Sequence, residues 1–164
     1  MSISDKLLAA LNEQVGNELR ASLQYVAIAS YFDSEALNRL AKFFYRQADE
    51  EREHAMKLVK FIVDAGGTLA IPDVPGPRGG FSSAREAVEL ALESEQQVTQ
   101  QIYRLMGIAK EDSDFIAVSF LGWFVDEQFE EVNSMSQLLQ VVERAGEDSL
   151  LSVEDFLARE GEPG

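Results

Sequence analysis

The stretch Asp49-Glu50-Glu51-Arg52-Glu53-His54-Ala55 lies in the middle of a long run of helix-forming residues. Within it, Glu51 and His54 are three residues apart, so both side chains leave the same face of a helix. Phe44 and Leu58, two turns before Glu51 and two turns after it, occupy that face as well. An apolar helical face normally points into the core, where a carboxylate is rarely found unless something compensates its charge.

The same interruption recurs in three other segments of the chain. Apolar residues repeat there at alternating spacings of three and four, the pattern that bundle helices present to one another. The stripe of the third helix reads Val88, Leu92, Glu95, Thr99, Ile102, Met106 and Ala109. The stripe of the fourth reads Ala117, Leu121, Phe124, Gln128, Glu131, Met135, Leu138 and Val142. One carboxylate breaks each of the four stripes near its middle: Glu18, Glu51, Glu95 and Glu131.

Turn signals divide the chain into four long helices and a short fifth one, which predicts an all-α four-helix bundle in one domain. The helices are expected at about 4–32, 35–64, 83–110 and 114–145, with a crossover at 65–82. The bundle would thus comprise residues 1–145. Residues 146–164 would add the short fifth helix, Ser152 to Arg159, and a frayed tail, Gly161 to Gly164.

Particular residues mark the ends of these helices. Asp33-Ser34 would supply the first turn and the N-cap of the second helix. Gly66-Gly67 would end the second helix, because glycine accepts the left-handed conformation there, and Gly146 would end the fourth helix. Ser83 and Glu86 have the spacing of a capping box at the start of the third helix. The acidic turn Glu111–Asp114 could cap a helix or admit cations.

The four carboxylates are predicted to lie at one depth. Glu18 and Glu51 are each about 15 to 18 residues from the first turn, or roughly 25 Å at a helical rise of about 1.5 Å per residue. Glu95 and Glu131 stand at the same distance from the turn near Asp112. The crossover could reach roughly 55 Å when extended, enough to return along the bundle. We therefore predict an up-down-down-up order in which the third helix runs parallel to the second.

Four carboxylates and one imidazole at one level in a core would repel strongly unless cations bind between them. Oxygen ligands with a single nitrogen suit iron or manganese better than copper, with zinc as a competitor. Glu51 is the natural bridging ligand because His54 lies on the same face. Ser134 stands where a symmetric site would carry a second histidine, so one metal position should be weaker than the other.

Composition excludes several other functions. The chain has no cysteine, which rules out disulfides and thiolate metal sites and fits a reducing cytoplasm. A net charge of −15 argues against nucleic acid or an anionic membrane as a partner. The first residues lack the pattern of a signal peptide, and no apolar stretch reaches membrane-spanning length.

Several strings together resemble the prokaryotic non-haem ferritins across nearly the whole chain. They are Asn17-Glu18-Leu19 with Gln24-Tyr25, the stretch 49–55, Leu92-Glu93-Ser94-Glu95, and Trp123 to Glu131. The resemblance implies a ferritin-like bundle and oxidation of Fe(II) to Fe(III) by O2 or H2O2 at a buried di-iron centre. It also implies storage of ferric mineral in a hollow shell of 24 chains.

The resemblance also implies which residues would hold iron. One position would use Glu18, Glu51 and His54; the other would use Glu51, Glu95 and Glu131 with Gln128 nearby. Tyr25 looks like the family's tyrosine beside the centre, donating an electron or a hydrogen bond, although a plain core aromatic would look the same. A third iron position would involve Glu50, Glu127 and Glu130, which equally fit a solvated acidic patch.

Related families differ in identifiable ways. Bacterioferritins carry a haem-ligating methionine where this chain has Arg52, so no haem is expected. Mini-ferritins lack a fifth helix, whereas the predicted helix at Ser152–Arg159 favours the larger shell. Two alternatives remain open: a di-iron peroxidase or oxidase of the rubrerythrin type, and a non-catalytic helical bundle.

Overall fold

The computed structural model describes residues 2–160, and within that range the chain is helical and contains no strand. Met1 and Gly161–Gly164 lie outside the described residues, and the predicted frayed tail lies there with them. Five α-helices form: α1 (Asp5–Ser34), α2 (Asn38–Asp64), α3 (Ala84–Glu111), α4 (Phe115–Ala145) and α5 (Leu150–Arg159). A short 3-10 turn, Glu147–Ser149, precedes α5, which begins two residues before the predicted Ser152. The all-α prediction is confirmed.

None of the helices between residues 2 and 160 has a stretch long and apolar enough to span a bilayer.

The connection between α1 and α2 differs from the prediction. Asp33 and Ser34 still belong to α1, and the turn follows them, with Ala36 in the left-handed region at φ 59°. No side chain of the turn caps α2. Instead, the carboxylate of Glu154 on α5 accepts from the backbone N–H groups of Arg39 and Leu40, both at 2.9 Å. Sequence alone missed this cap because its acceptor is more than a hundred residues away.

The start of α3 also departs from a simple capping box. Ser83 accepts from the backbone N–H of Glu86 as predicted, but the Glu86 carboxylate binds the N–H of Ser82 rather than that of Ser83. Glu147 from the turn before α5 accepts from the N–H of Ala84 at 2.8 Å. Acidic side chains next to helix N-termini are favourable because they complement the unpaired N–H groups there. The C-terminal segment therefore secures the first turns of both α2 and α3.

Contacts at the ends of the bundle establish the helix directions. Near the start of α1, Lys6 pairs with Glu111 at the end of α3 at 3.2 Å. Near the end of α2, Phe61 stacks on Phe120 near the start of α4, with ring centroids 4.1 Å apart. Thus α1 is antiparallel to α3, and α2 is antiparallel to α4. Together with the short turns after α1 and α3, these contacts give the predicted up-down-down-up order.

The long crossover from α2 to α3 runs back along α1. Asn12 binds the backbone of both Thr68 and Ala70, and Gln24, about three turns further along α1, binds Arg78 in the same two-bond manner. Between these two clamps the crossover comes so close to α1 that a Cβ on Gly16 would lie 2.6 Å from the Pro72 ring. The clamps explain how a segment without regular structure keeps one path.

The apolar core is split into two halves by a polar layer. The half near the N-terminus of α1 is built from residues including Leu7, Leu11, Leu58, Ile102, Leu121 and Phe124. The other half includes Phe32, Leu40, Phe44, Met135 and Val142. Each fully buried side chain of this size contributes about 1.5–3 kcal/mol through lost contact with water. The polar layer between the two halves lacks this apolar contribution to stability, and it lies at a single level of the bundle.

Candidate metal centre

The polar layer contains the side chains that interrupted the four stripes. Glu18, Glu51 and Glu95 have no solvent exposure, and His54 and Glu131 are each 4% exposed. One carboxylate comes from each of the four long helices, with the imidazole from α2. The common depth that helix arithmetic predicted is therefore the depth observed.

One group of possible ligands comprises Glu18, Glu51 and His54, and an oxygen or nitrogen from each lies within 4.8 Å of the others. His54 Nδ1 is 3.2 Å from Glu51 Oε2 and 3.9 Å from Glu18 Oε2. The Glu-x-x-His spacing on α2 creates the shorter contact, because residues three apart are neighbours on a helix surface. Packing of α1 against α2 then brings in Glu18.

A second group comprises Glu51, Glu95 and Glu131, with the same mutual limit of 4.8 Å. Glu51 is thus shared by both groups, as a ligand lying between two cations would be. Four buried oxygens of the layer have no hydrogen-bond partner within the described chain: Glu18 Oε2, Glu51 Oε1, Glu131 Oε2 and Gln128 Oε1. Unpaired buried acceptors are costly, and bound cations would satisfy them.

Gln128 and Tyr25 both hold Glu95. Gln128 Nε2 donates to Glu95 Oε2 at 3.1 Å and lies 3.2 Å from Thr99 Oγ1. The Tyr25 hydroxyl donates to Glu95 Oε1 at 2.5 Å. Tyr25 is fully buried and also packs on Phe44, so it is a core aromatic and a hydrogen-bond donor at once.

Burial changes the protonation of this cluster. It raises the pKa of Glu51 well above the usual range, and the nearby Glu18 and Glu95 carboxylates raise it further. Burial likewise raises the pKa of Glu18, and with Glu95 nearby it raises the pKa of Glu131 to about 10. Without cations, protons must therefore neutralise part of the layer. A cation that displaces those protons would bind at a site that already excludes water.

The acidic residues beside the layer are arranged less tightly. The Glu50 and Glu127 carboxylates both lie near enough to Glu131 to raise its pKa. Glu127 also forms a third possible ligand group with His54 and Glu131. Glu130 is exposed and belongs to none of the ligand groups found within residues 2–160. Of the three residues predicted for a third position, Glu50 and Glu127 therefore lie beside Glu131, whereas Glu130 belongs to no such group within residues 2–160.

Aromatic rings enclose the histidine. The Trp123 ring meets His54 edge to face with centroids 5.4 Å apart, and Phe124 does the same at 5.9 Å. On the solvent side, the Lys57 Nζ lies 3.5 Å from the centre of the Trp123 ring. These contacts fix the plane of the imidazole and keep water from it.

Gln14 is a member of the layer to which the sequence analysis gave no role. It is 2% exposed, and its Nε2 donates to Glu18 Oε1 at 3.3 Å. The sequence spacing could have identified Gln14, because it precedes Glu18 by four residues and so shares its helical face. Residues four apart can be read from sequence, but the depth at which Gln14 is buried depends on α3, which packs over it.

Fold and layer together define a class of protein: an up-down-down-up four-helix bundle with a buried cluster of carboxylates and one histidine that could hold metal. A profile of the Ferritin family, described as a ferritin-like domain, matches residues 8–145. The chain belongs to that family.

Individual relatives agree with this assignment. Ferritin BfrB of Mycobacterium tuberculosis is 48% identical over 155 residues, covering 94% of this chain and 85% of that protein. The bacterial non-heme ferritin of Staphylococcus aureus is 40% identical over 147 residues, covering 90% and 89%. The open pore ferritin of Archaeoglobus fulgidus superposes with a TM-score of 0.92 at 35% identity, covering 96% and 98%.

Proposed function

We propose that this chain is a ferritin subunit that oxidises Fe(II) at a pair of adjacent buried positions and stores the ferric product. The observation that carries the proposal is the overlap of two ligand groups at Glu51, inside a layer with no solvent exposure at Glu18, Glu51 or Glu95. Relatives that carry the name ferritin support the storage part of the proposal.

Each ligand residue would have a defined place. Glu18, Glu51 and His54 would hold one iron. Glu51, Glu95 and Glu131 would hold the other, and the unpaired Gln128 oxygen would be a further ligand for it. A donor set of carboxylate oxygens with one imidazole nitrogen favours iron or manganese, and zinc would compete. The position without a nitrogen ligand should exchange its iron more readily than the one with His54.

Iron is the substrate here, and its redox chemistry supplies the electrons. Two Fe(II) ions give two electrons to H2O2, which takes up two protons and becomes two water molecules; with O2 the same two electrons and two protons yield H2O2. The protein holds the ions close together, excludes water, and releases protons from Glu18, Glu51 and Glu131 when cations bind. Tyr25 keeps Glu95 oriented by donating its hydroxyl hydrogen.

Storage requires a closed compartment, and we propose assembly of 24 chains into a hollow shell in the cytoplasm. Glu50 and Glu127 border the centre, and Glu130 is exposed beyond them. These acidic residues are suited to receive iron leaving the centre, as a third position or as a transfer surface. Native mass spectrometry tests the shell directly: a particle of about two dozen subunits supports it, and a dimer would favour an oxidase without storage.

The function is tested by anaerobic Fe(II) titration followed by oxygen, with Glu51→Ala as the variant. Loss of the shared ligand should slow oxidation by about two orders of magnitude, as expected for removal of a key ligand. Glu53→Ala is the matched control, because Glu53 is exposed on the same helix two residues away. Equal rates in the parent and in Glu51→Ala would contradict the proposal.

A further inference from the structure

A cavity of about 230 Å³ opens between α1 and α3 directly beside the polar layer. Its lining consists of Ala10, Glu13, Gln14, Asn17, Gln101, Arg104 and Leu105. Gln14 is the member of this lining that also touches a candidate iron ligand, Glu18. The cavity therefore reaches the ligand layer through one side chain.

The hydrogen bonds of Gln14 are suited to a movable barrier. Its Nε2 lies 3.3 Å from both Glu18 Oε1 and Gln101 Oε1, which is long for such a bond and so weak. Its Oε1 accepts from Asn17 Nδ2 at 3.1 Å. Rotation of the Gln14 side chain would break only these neutral or long contacts. The rotation would connect the cavity with Glu18, whose Oε2 has no hydrogen-bond partner within the described chain.

The surface next to this cavity carries oxygen atoms that could bind a cation transiently. A neighbouring cavity of about 520 Å³ shares Asn17 and Gln101 with the first. Amides line much of it, together with one arginine and one glutamate: Gln24, Gln96, Gln97 and Gln100, with Arg20 and Glu93. At the mouth, Arg104 faces Glu13 at 3.9 Å, so its positive charge is opposed by a carboxylate. Carbonyl and carboxylate oxygens are suitable transient ligands for hard divalent cations.

A cavity of about 270 Å³ at the junction of α2, α4 and α5 also reaches Gln47 and Glu50. Basic and acidic side chains both line it: Arg39, Lys42 and Arg46, with Glu50 and Glu160.

The acidic turn after α3 is engaged in structural contacts. Glu111 pairs with Lys6, Asp112 accepts from Ser4, and Asp114 caps α4. One residue of the turn, Asp114, thus acts as the predicted cap, while Glu111 and Asp112 contact the start of α1.

We propose that the cavity between α1 and α3 is an access route by which divalent cations reach Glu18, and that Gln14 is its gate. The proposal rests on the proposed function, because it takes the polar layer to be the destination. It assigns to Gln14 a role in the rate of cation arrival, separate from any role in positioning Glu18.

The test compares two substitutions that remove the same hydrogen bond to Glu18. Gln14→Met fills the same space with an apolar chain, and Gln14→Ala leaves the passage open. Cobalt(II) is the probe, mixed anaerobically with the assembled, metal-free protein in a stopped-flow spectrometer. We expect Gln14→Met to slow uptake about tenfold, equivalent to a barrier higher by about 1.4 kcal/mol, and Gln14→Ala to speed it.

Opposite effects of the two variants distinguish a gate from a positioning residue. If both variants slow uptake equally, Gln14 only orients Glu18 and the route is refuted; unchanged rates in both refute it as well. Gln140→Met is the control, since Gln140 is exposed on α4 and lines neither cavity. If the Gln14 variants do not assemble, Gln101→Met and Gln101→Ala repeat the comparison without touching Glu18.

The outcome also separates this inference from the proposed function. A parent protein that takes up no Co(II) at the layer would overturn both. If the parent takes up Co(II) and both Gln14 variants do so at the same rate as the parent, only the proposed route is overturned. Rates that respond as expected, in a protein that fails to oxidise Fe(II), would support the route and refute the oxidation.

Discussion

Replacing Glu131 with glutamine should stabilise the metal-free protein, although it removes a proposed ligand. Burial and the neighbouring Glu95 raise the pKa of Glu131 to about 10, whereas an unfolded glutamate titrates near about 4.3. At about pH 7.5 the folded chain therefore holds a proton that the unfolded chain has released. The difference of about three pH units corresponds to about 4 kcal/mol of lost stability, which a neutral amide avoids.

The sign of this effect sets its pH dependence. The folded pKa of Glu131 is raised, so its protonated carboxyl contributes fully to the free energy of unfolding below about pH 4.3. That contribution is lost progressively as the pH rises towards about 10. The parent should therefore lose stability with rising pH by up to about 1.4 kcal/mol per unit more than Glu131→Gln. At about pH 7.5 the variant should unfold on the order of 10 °C higher in a circular dichroism melt.

Adding metal should reverse the order of the two proteins. Saturating Co(II) stabilises whichever protein binds it more tightly, and the parent retains the charged carboxylate. A melt in which Glu131→Gln is less stable than the parent without metal would refute the reasoning. So would a pH dependence that is the same in both proteins.

Three further substitutions test how the layer and the helices around it are held. Tyr25→Phe removes the donor to Glu95 but keeps the buried ring, so Fe(II) oxidation should slow by about 10- to 100-fold with little loss of stability; an unchanged initial rate would contradict the role of the hydroxyl. Gly16→Ala would force a Cβ to within 2.6 Å of Pro72 and should cost about 1–3 kcal/mol in a thermal melt. Gly107→Ala, where an added Cβ would meet nothing within 4 Å beyond its own stretch of helix, should instead stabilise by up to about 1 kcal/mol, and equal shifts in both glycine variants would refute the close-contact argument.

The stripe of α4 shows where sequence is sufficient. All eight residues of the predicted stripe, from Ala117 to Val142, are buried, and the polar pair Gln128 and Glu131 falls at its middle. Other apolar residues of α4, among them Ile116 and Phe129, are exposed, so hydrophobicity alone does not single out this face. The alternating spacing of three and four, carried through the central polar pair, identifies the inward positions.

The stripe of α3 shows the limit of the method. Leu92, Thr99 and Met106 were predicted inward but are half-buried, while Ala91, Val98 and Leu105 are buried in addition to the central positions. Apolar residues cover a broad arc of α3, so a 3-4 stripe can be drawn along it at more than one angle. Packing against α1 and α4 decides the angle, and that packing is not encoded within α3 itself.

Contacts between distant segments account for the other differences. The N-cap of α2 comes from Glu154, so no local motif near Asp33 or Ser34 could reveal it. The depth of Gln14 depends on Gln101 of α3. The ligand layer was easier to predict because each helix carries its own buried carboxylate at a countable distance from a turn.

The central claim is that the layer around Glu51 binds two iron ions, and anomalous diffraction at the iron edge tests it most directly. Crystals soaked anaerobically in Fe(II) should give one peak among Glu18, Glu51 and His54. A second peak should lie among Glu51, Glu95 and Glu131. Peaks confined to exposed carboxylates, with none beside Glu51, would contradict the account.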